Sequence, residues 1–340
     1  MIGRKIMTIA TTTSRLLAGA LIGVSAMGFA LSPALAKTLK LAHVQPESHA
    51  FHKGAVAFKE ALEEASGGEL KVDIFSNGVM GNERDLLEAL QIGTVDAISV
   101  TSALTGTFND DYQVFSLPFL FDSYEHAFAA MDSEDIRGKI EPDLIDAGIR
   151  PIAYWIGGAR SYYGLQPVEN IGDLSGLKLR TMEAPYYVRA WEDLGAIPTP
   201  LPFGEVYMAL QTKMVDGAEG GINTYVSKKF YEVAPNVAMI NYVYSVQLLH
   251  MSQNTWSGLS EEEQGWVTEA AKKSAEVERQ FVLDEDASLE ETLKSHDVKV
   301  THPEIGPFQD KVEEVYTMFR DEFGEETAKL VDEIRELKPE

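Results

Sequence analysis

The 340-residue chain contains no cysteine. Disulfides, thiol nucleophiles and cysteine-ligated metals are thereby excluded. Positive charge is scarce as well: 29 lysines and arginines face 53 aspartates and glutamates, a formal net charge of −24. Such a surface is well solvated and a poor partner for nucleic acid or anionic lipid, so no nucleic-acid partner is expected. An anionic ligand would need locally placed cations, effective within about 10 Å at moderate salt. Also missing are His-Glu-x-x-His, Gly-x-Ser-x-Gly and a Walker-type phosphate loop, so no catalytic metal or cofactor is expected.

The one long apolar run lies near the N-terminus. Leu16 to Leu31 follows Arg4, Lys5 and Arg15, and Ala34-Leu35-Ala36 then fits the small-x-small cleavage rule. Residues 1–36 read as a secretory signal with Lys37 as the first mature residue, which implies a periplasmic destination. The run is short for a membrane span, which needs about 20 apolar residues. The segment holds three of the basic residues and no acid, so its removal takes the net charge to −27. About 300 residues without disulfides must stand on their own core, and that length suggests two domains.

After residue 36 the chain alternates strand-like and helix-like segments. Leu39 and Leu41 alternate with Lys40, Phe51 to Glu64 carries helical spacing, and Leu70, Val72 and Ile74 alternate again. Asn82 is a candidate N-cap for a helix stopping at Gly93, and Asp96 to Val100 is a third strand. This rhythm predicts an α/β fold with a parallel sheet covered by helices. It recurs with strands at Ile152–Trp155, Leu177–Arg180, Ile197–Thr199 and Val215–Ala218. Helices are expected at Ala184–Leu194 and Gly204–Lys213. Ser260 and Glu263 form a capping-box pattern ahead of a long helix, and Pro307 to Leu337 is helical. No Pro/Gly/Ser-rich linker divides the chain. Two domains would therefore exchange the chain more than once, near Gly157-Gly158 and near Ser245 to Gln247.

Several residues invite a chemical reading. His43, His49 and His52 lie near Glu47, but packed histidines are the commoner explanation and no strict metal-ligand pattern exists. With so many acids, some carboxylate pair always resembles a hydrolase site and carries no weight alone. Arg180 is more informative. It closes a short strand in Gly176–Arg180, at the end where open α/β sheets bind ligands, and a guanidinium there can grip a carboxylate with two parallel hydrogen bonds. The bland alternative is a structural salt bridge. Gly157-Gly158-Ala159-Arg160-Ser161-Tyr162-Tyr163 is a second candidate, with an arginine set between small residues and aromatics.

The run LKLRTMEAPYYVRAWEDLGAIPTPLPFGEVYMALQTKMVDGAEGG resembles the DctP-type solute-binding proteins of tripartite ATP-independent periplasmic (TRAP) transporters. GGARSYY, FSNGVMGNERDLLEALQIGTVDAISV and SLPFLF match as well. The resemblance implies a two-lobed, Venus-flytrap protein with a central sheet in each lobe and long helices spanning them. It further implies a non-enzymatic monomer that closes on a carboxylate and delivers it to an integral-membrane permease. The lobes are expected at 37–157 plus 246–286 and at 158–245 plus 287–340. Arg180 matches the family's carboxylate clamp and Arg160 a second cation. Glu183, Phe203 and Glu219 match residues lining the pocket, and Gln45 and Thr101 its other wall. Sialic-acid members differ at Glu183 and Thr101, and many members have asparagine at Gly220, a role that Asn223 could take over here. Glu183 and Glu219 would repel a second carboxylate yet accept hydroxyls, with Thr101, Gln45 and Tyr162 as neutral partners. A hydroxyl-rich monocarboxylate such as a uronate or aldonate is expected. The alternatives are a C4-dicarboxylate held by Arg160 as second clamp, a small hydroxy or keto acid, an exported enzyme on a similar scaffold, and a surface interaction protein.

Overall fold

A computed structural model describes residues 36–339. The signal read at 1–36 lies outside the described residues except for Ala36. Among the described residues, no helix is long and apolar enough to cross a membrane.

Among the described residues, nine strands form one connected sheet. They are β1 (Lys37–Ala42), β2 (Leu70–Phe75), β3 (Ala97–Thr101), β4 (Ile149–Gly164), β5 (Lys178–Thr181), β6 (Ile197–Pro200), β7 (Gly217–Gly221), β8 (Asn236–Ser252) and β9 (Lys299–Thr301). The order is β2-β1-β3-β8-β4-β7-β5-β6, with β9 pairing β8. The parallel groups expected from the βα rhythm are present as β2-β1-β3 and β7-β5-β6. Between them run two long strands, β4 and β8, antiparallel to each other and to the flanking strands. The sheet is therefore mixed, and β4 and β8 each pass through both of its ends.

The paired glycines Gly157-Gly158 sit inside β4, where pairing with β8 skips between Ile156 and Ala159. Gly158 has φ +81°, a conformation side chains resist, and its missing Cβ leaves room for Asn223. Gly221 is required for a different reason: a Cβ there would come within 2.4 Å of the Gly157 carbonyl oxygen. The glycines thus let β4 bulge and β7 lie against it.

Helix starts follow the sequence closely. His49 caps the helix Ala50–Ala65, Asn82 forms a capping box with Asp85 before Glu83–Gln91, and Ser260 forms one with Glu263 before Glu261–Ala287. The C-terminal stretch is two helices, Gly306–Lys311 and Glu313–Glu336, the second interrupted at Gly324 with φ +80°. Gly204–Lys213 resolves into a 3₁₀ turn, Phe203–Glu205, and a short helix, Val206–Gln211.

The helix Ala50–Ala65 packs on Glu261–Ala287 over Phe58, Leu62, Trp155, Val267 and Ala271. Contact is close at Gly54, where a Cβ would meet Trp155 and Glu278. Glu278 is 0% exposed there. One of its oxygens accepts the Ile156 N–H at 3.0 Å, and the other has no partner among the described residues. Burial pushes this carboxyl up to about 8 from 4.5. Between those two values the folded chain holds a proton that the unfolded chain has released, so this group's contribution to stability falls as pH rises. Glu278→Gln keeps the shape without the charge. It is expected to raise stability at pH 8.5 and change little at pH 4.5, measured by urea unfolding at both. A variant that follows the wild-type pH profile would contradict this.

Candidate functional site: a cleft around a buried arginine

The carboxyl ends of the two parallel groups face one another across β4 and β8 and line a common cleft. One wall comes from Gln45 after β1, Thr101 at the end of β3, and Glu83 in the first turn of Glu83–Gln91. The other comes from Arg180 and Met182 at the end of β5, with Glu219 on β7. Gln45, Thr101, Arg180 and Met182 sit at or just beyond the carboxyl ends of strands, where open α/β sheets bind ligands.

The two arginines have opposite surroundings. Arg160, 8% exposed, faces the fully buried Glu219. Its Nε donates to Oε2 at 2.8 Å and its Nη2 to Oε1 at 2.8 Å. The Tyr242 hydroxyl also donates to Oε2, and the Met182 N–H reaches Oε1 at 3.3 Å. Four donors thus occupy the roughly four lone-pair sites of this carboxylate. Burial alone would lower the Arg160 guanidinium, but the charge of Glu219 overrides it and holds the group well above its ordinary value.

Arg180 is 3% exposed, and among the described residues it forms no ion pair. Its Nε and Nη2 both donate to the Leu201 carbonyl oxygen, at 3.0 and 2.6 Å. Burial lowers this guanidinium below its ordinary range, and Arg160 adds to the effect against the opposing charges of Glu219 and Glu83. The structural salt bridge considered for Arg180 is made by Arg160 instead. Removing a cation from water without a counter-charge is costly, so Arg180 is the group of this site that an anion would relieve most.

Six of the eight residues singled out from sequence line the cavity: Gln45, Thr101, Arg160, Arg180, Phe203 and Glu219. The reading of Glu219 as a hydroxyl acceptor is corrected, since Arg160, Tyr242 and the Met182 N–H fill its lone pairs. Glu183 does not line the cavity. Met182, two residues after Arg180 and past the end of β5, lines it instead. Asn223 lines a neighbouring crevice with Gly158, Ala159 and Asp286. Tyr162 donates to the Gln166 carbonyl at 3.0 Å, and Tyr163 lines the cavity in its place.

Sequence reasoning missed Glu83 and Gln247. Glu83 accepts the Thr101 N–H at 3.1 Å, and burial raises its carboxyl above the usual range. An acid in the first turn of a helix is ordinary in sequence, because it complements the helix dipole, so nothing distinguished it. Gln247 donates to Ser99 at 2.9 Å from within β8. His43 and His52 pair with one another, 3.1 Å between ring nitrogens. Among the described residues no group of three or more histidines and carboxylates is placed to hold a metal.

Comparison with known proteins now adds a family. The profile described as bacterial extracellular solute-binding protein, family 7 (DctP), matches residues 41–322. The chain belongs to the DctP family. A solute-binding protein of Roseobacter denitrificans is 33% identical over 84% of this chain and 88% of its own. A TRAP periplasmic solute-binding protein from Bordetella, with density interpreted as pantoate, superposes with a TM-score of 0.85 at 34% identity, covering 89% of this chain and 100% of that one. A third, from Sulfitobacter sp. NAS-14.1 with bound β-D-galacturonate, gives 0.84 at 30% identity over 88% and 100%. The protein is thus a periplasmic solute-binding protein of the TRAP type with the two-lobed Venus-flytrap fold. DctP-family proteins of this type bind small organic acids and deliver them to membrane permease components.

Proposed function

We propose that this chain captures a hydroxyl-rich monocarboxylate, a uronate or an aldonate. Arg180 clamps the carboxylate, and Gln45, Thr101 and Glu83 meet the hydroxyls. The observation that carries the reading is the buried Arg180 guanidinium without an ion-pair partner among the described residues. Glu219 takes part by holding Arg160, and Phe203 offers an apolar face to the ring. Because Arg160 is neutralised by Glu219, it is a poor second clamp, and this disfavours a C4-dicarboxylate. The site of Sulfitobacter sp. NAS-14.1 holds a uronate, which supports the same ligand class here. The chain acts as a monomer without turnover. Its lobes are 37–157 plus 246–286 and 158–245 plus 287–340, and they close about Gly157-Gly158 and Ser245 to Gln247, with ligand favouring the closed form by its differential affinity.

A thermal-shift screen over uronates, aldonates and dicarboxylates tests this. Ligand at a hundred times its Kd stabilises by about 2.7 kcal/mol. D-Galacturonate or a related sugar acid is expected to raise the midpoint, and mass spectrometry is expected to recover it unchanged. A shift with succinate alone, or a converted product, would overturn the reading.

A further inference from the structure

His49 and Thr224 meet across the cavity from opposite ends of the sheet. His49 caps the helix Ala50–Ala65 that follows β1, and Thr224 lies in the helix Ile222–Ser227 that follows β7. They are 175 residues apart in sequence, yet His49 Nε2 lies 2.9 Å from Thr224 Oγ1. Thr224 lines the cavity, as does Phe51, whose ring packs edge-on against His49 at 4.3 Å.

The direction of this bond is settled by its neighbour. His49 Nδ1 accepts the Phe51 N–H at 3.1 Å as the helix cap, so it carries no proton. Burial keeps the ring neutral, pushing it down to about 3. The one ring proton is then on Nε2 and is donated to Thr224 Oγ1. A hydroxyl that accepts one bond keeps its own proton to give, and among the described residues that proton has no acceptor.

We infer that the His49–Thr224 hydrogen bond is a latch across the cleft, and that it leaves the Thr224 hydroxyl aimed to donate to an oxygen of the bound acid. The inference rests on the carboxylate-binding reading above for its ligand, but not for its latch. A contact that exists only when both ends are together slows release more than it affects encounter.

Two measurements test it. The absence of cysteine allows spin labels at Lys71→Cys and Ile197→Cys, on the outer strands β2 and β6, with no background thiols. Thr224→Val, which keeps the shape and loses the hydroxyl, is expected to widen the label distance or its distribution. It is also expected to release D-galacturonate at least tenfold faster, with an association rate within about threefold of wild type. Thr224→Ser is expected to restore both, which a merely structural role of the methyl group would not allow. Unchanged distances together with an unchanged off-rate in Thr224→Val would overturn the inference. If wild type binds no sugar acid but the distances still respond, the ligand reading fails and the latch stands. If it binds none and the distances do not respond, both fail.

Discussion

Arg180→Ala is expected to raise the Kd for the bound sugar acid by about 10² to 10⁴. Two charge-assisted hydrogen bonds from one guanidinium contribute about 1.5–3 kcal/mol each, and each 1.4 kcal/mol is tenfold in affinity. The fold is expected to survive, since Arg180 makes no ion pair among the described residues and donates only to the Leu201 carbonyl. Losing those donors costs about 1–3 kcal/mol, offset in part by the desolvated charge that disappears with them. Arg180→Lys keeps a cation but not the planar fork, and it is expected to bind more weakly than wild type and more tightly than alanine. Isothermal titration calorimetry measures all three, with circular dichroism as the control for folding. Near-wild-type affinity in Arg180→Ala would refute the clamp.

The largest stability effect is expected at the Arg160–Glu219 pair. Either single alanine strands a buried charge, at a cost of about 3–5 kcal/mol. Glu219→Ala also leaves Tyr242 and the Met182 N–H without their acceptor. The double variant strands neither charge and is expected to be less destabilised than the sum of the singles, by up to about 3 kcal/mol of coupling. Urea unfolding of the four proteins gives the cycle, and simple additivity would show that the pair is not the unit described. Binding should separate the arginines too: Arg160→Ala is expected to weaken the sugar acid less than Arg180→Ala, because Arg160 already has its counter-charge.

Much of the architecture was legible where local chemistry is strong. The alternation at Leu70 to Ile74, the caps at Asn82 and Ser260, and the strand ending at Arg180 all appear at or within a residue or two of their expected places. What escaped was β8. Asn236–Ser252 is buried along almost its whole length, and a strand covered on both faces shows no polar alternation. The far half of β4 escaped for a related reason, its glycines reading as a hinge loop rather than as a bulge within a strand. The shift of β7 to Gly217–Gly221 belongs with these, since a strand made mostly of glycine has no side-chain pattern to read.

The candidate site divides along the same line. Sequence alone indicated that an anion would need locally placed cations, and it offered Arg180 and Arg160 as candidates. Motif spacing and strand ends are local properties of the chain, and they carry that far. Only the tertiary structure decided which arginine is already paired. Glu219 is 59 residues from Arg160 and 39 from Arg180, and nothing in those separations assigns it. The choice was made by the pairing of β7 with β4, which sets Gly221 opposite Arg160 and Glu219 opposite Tyr162. Charge pairing depends on which side chains share a buried space, and that is a property of register rather than of sequence order.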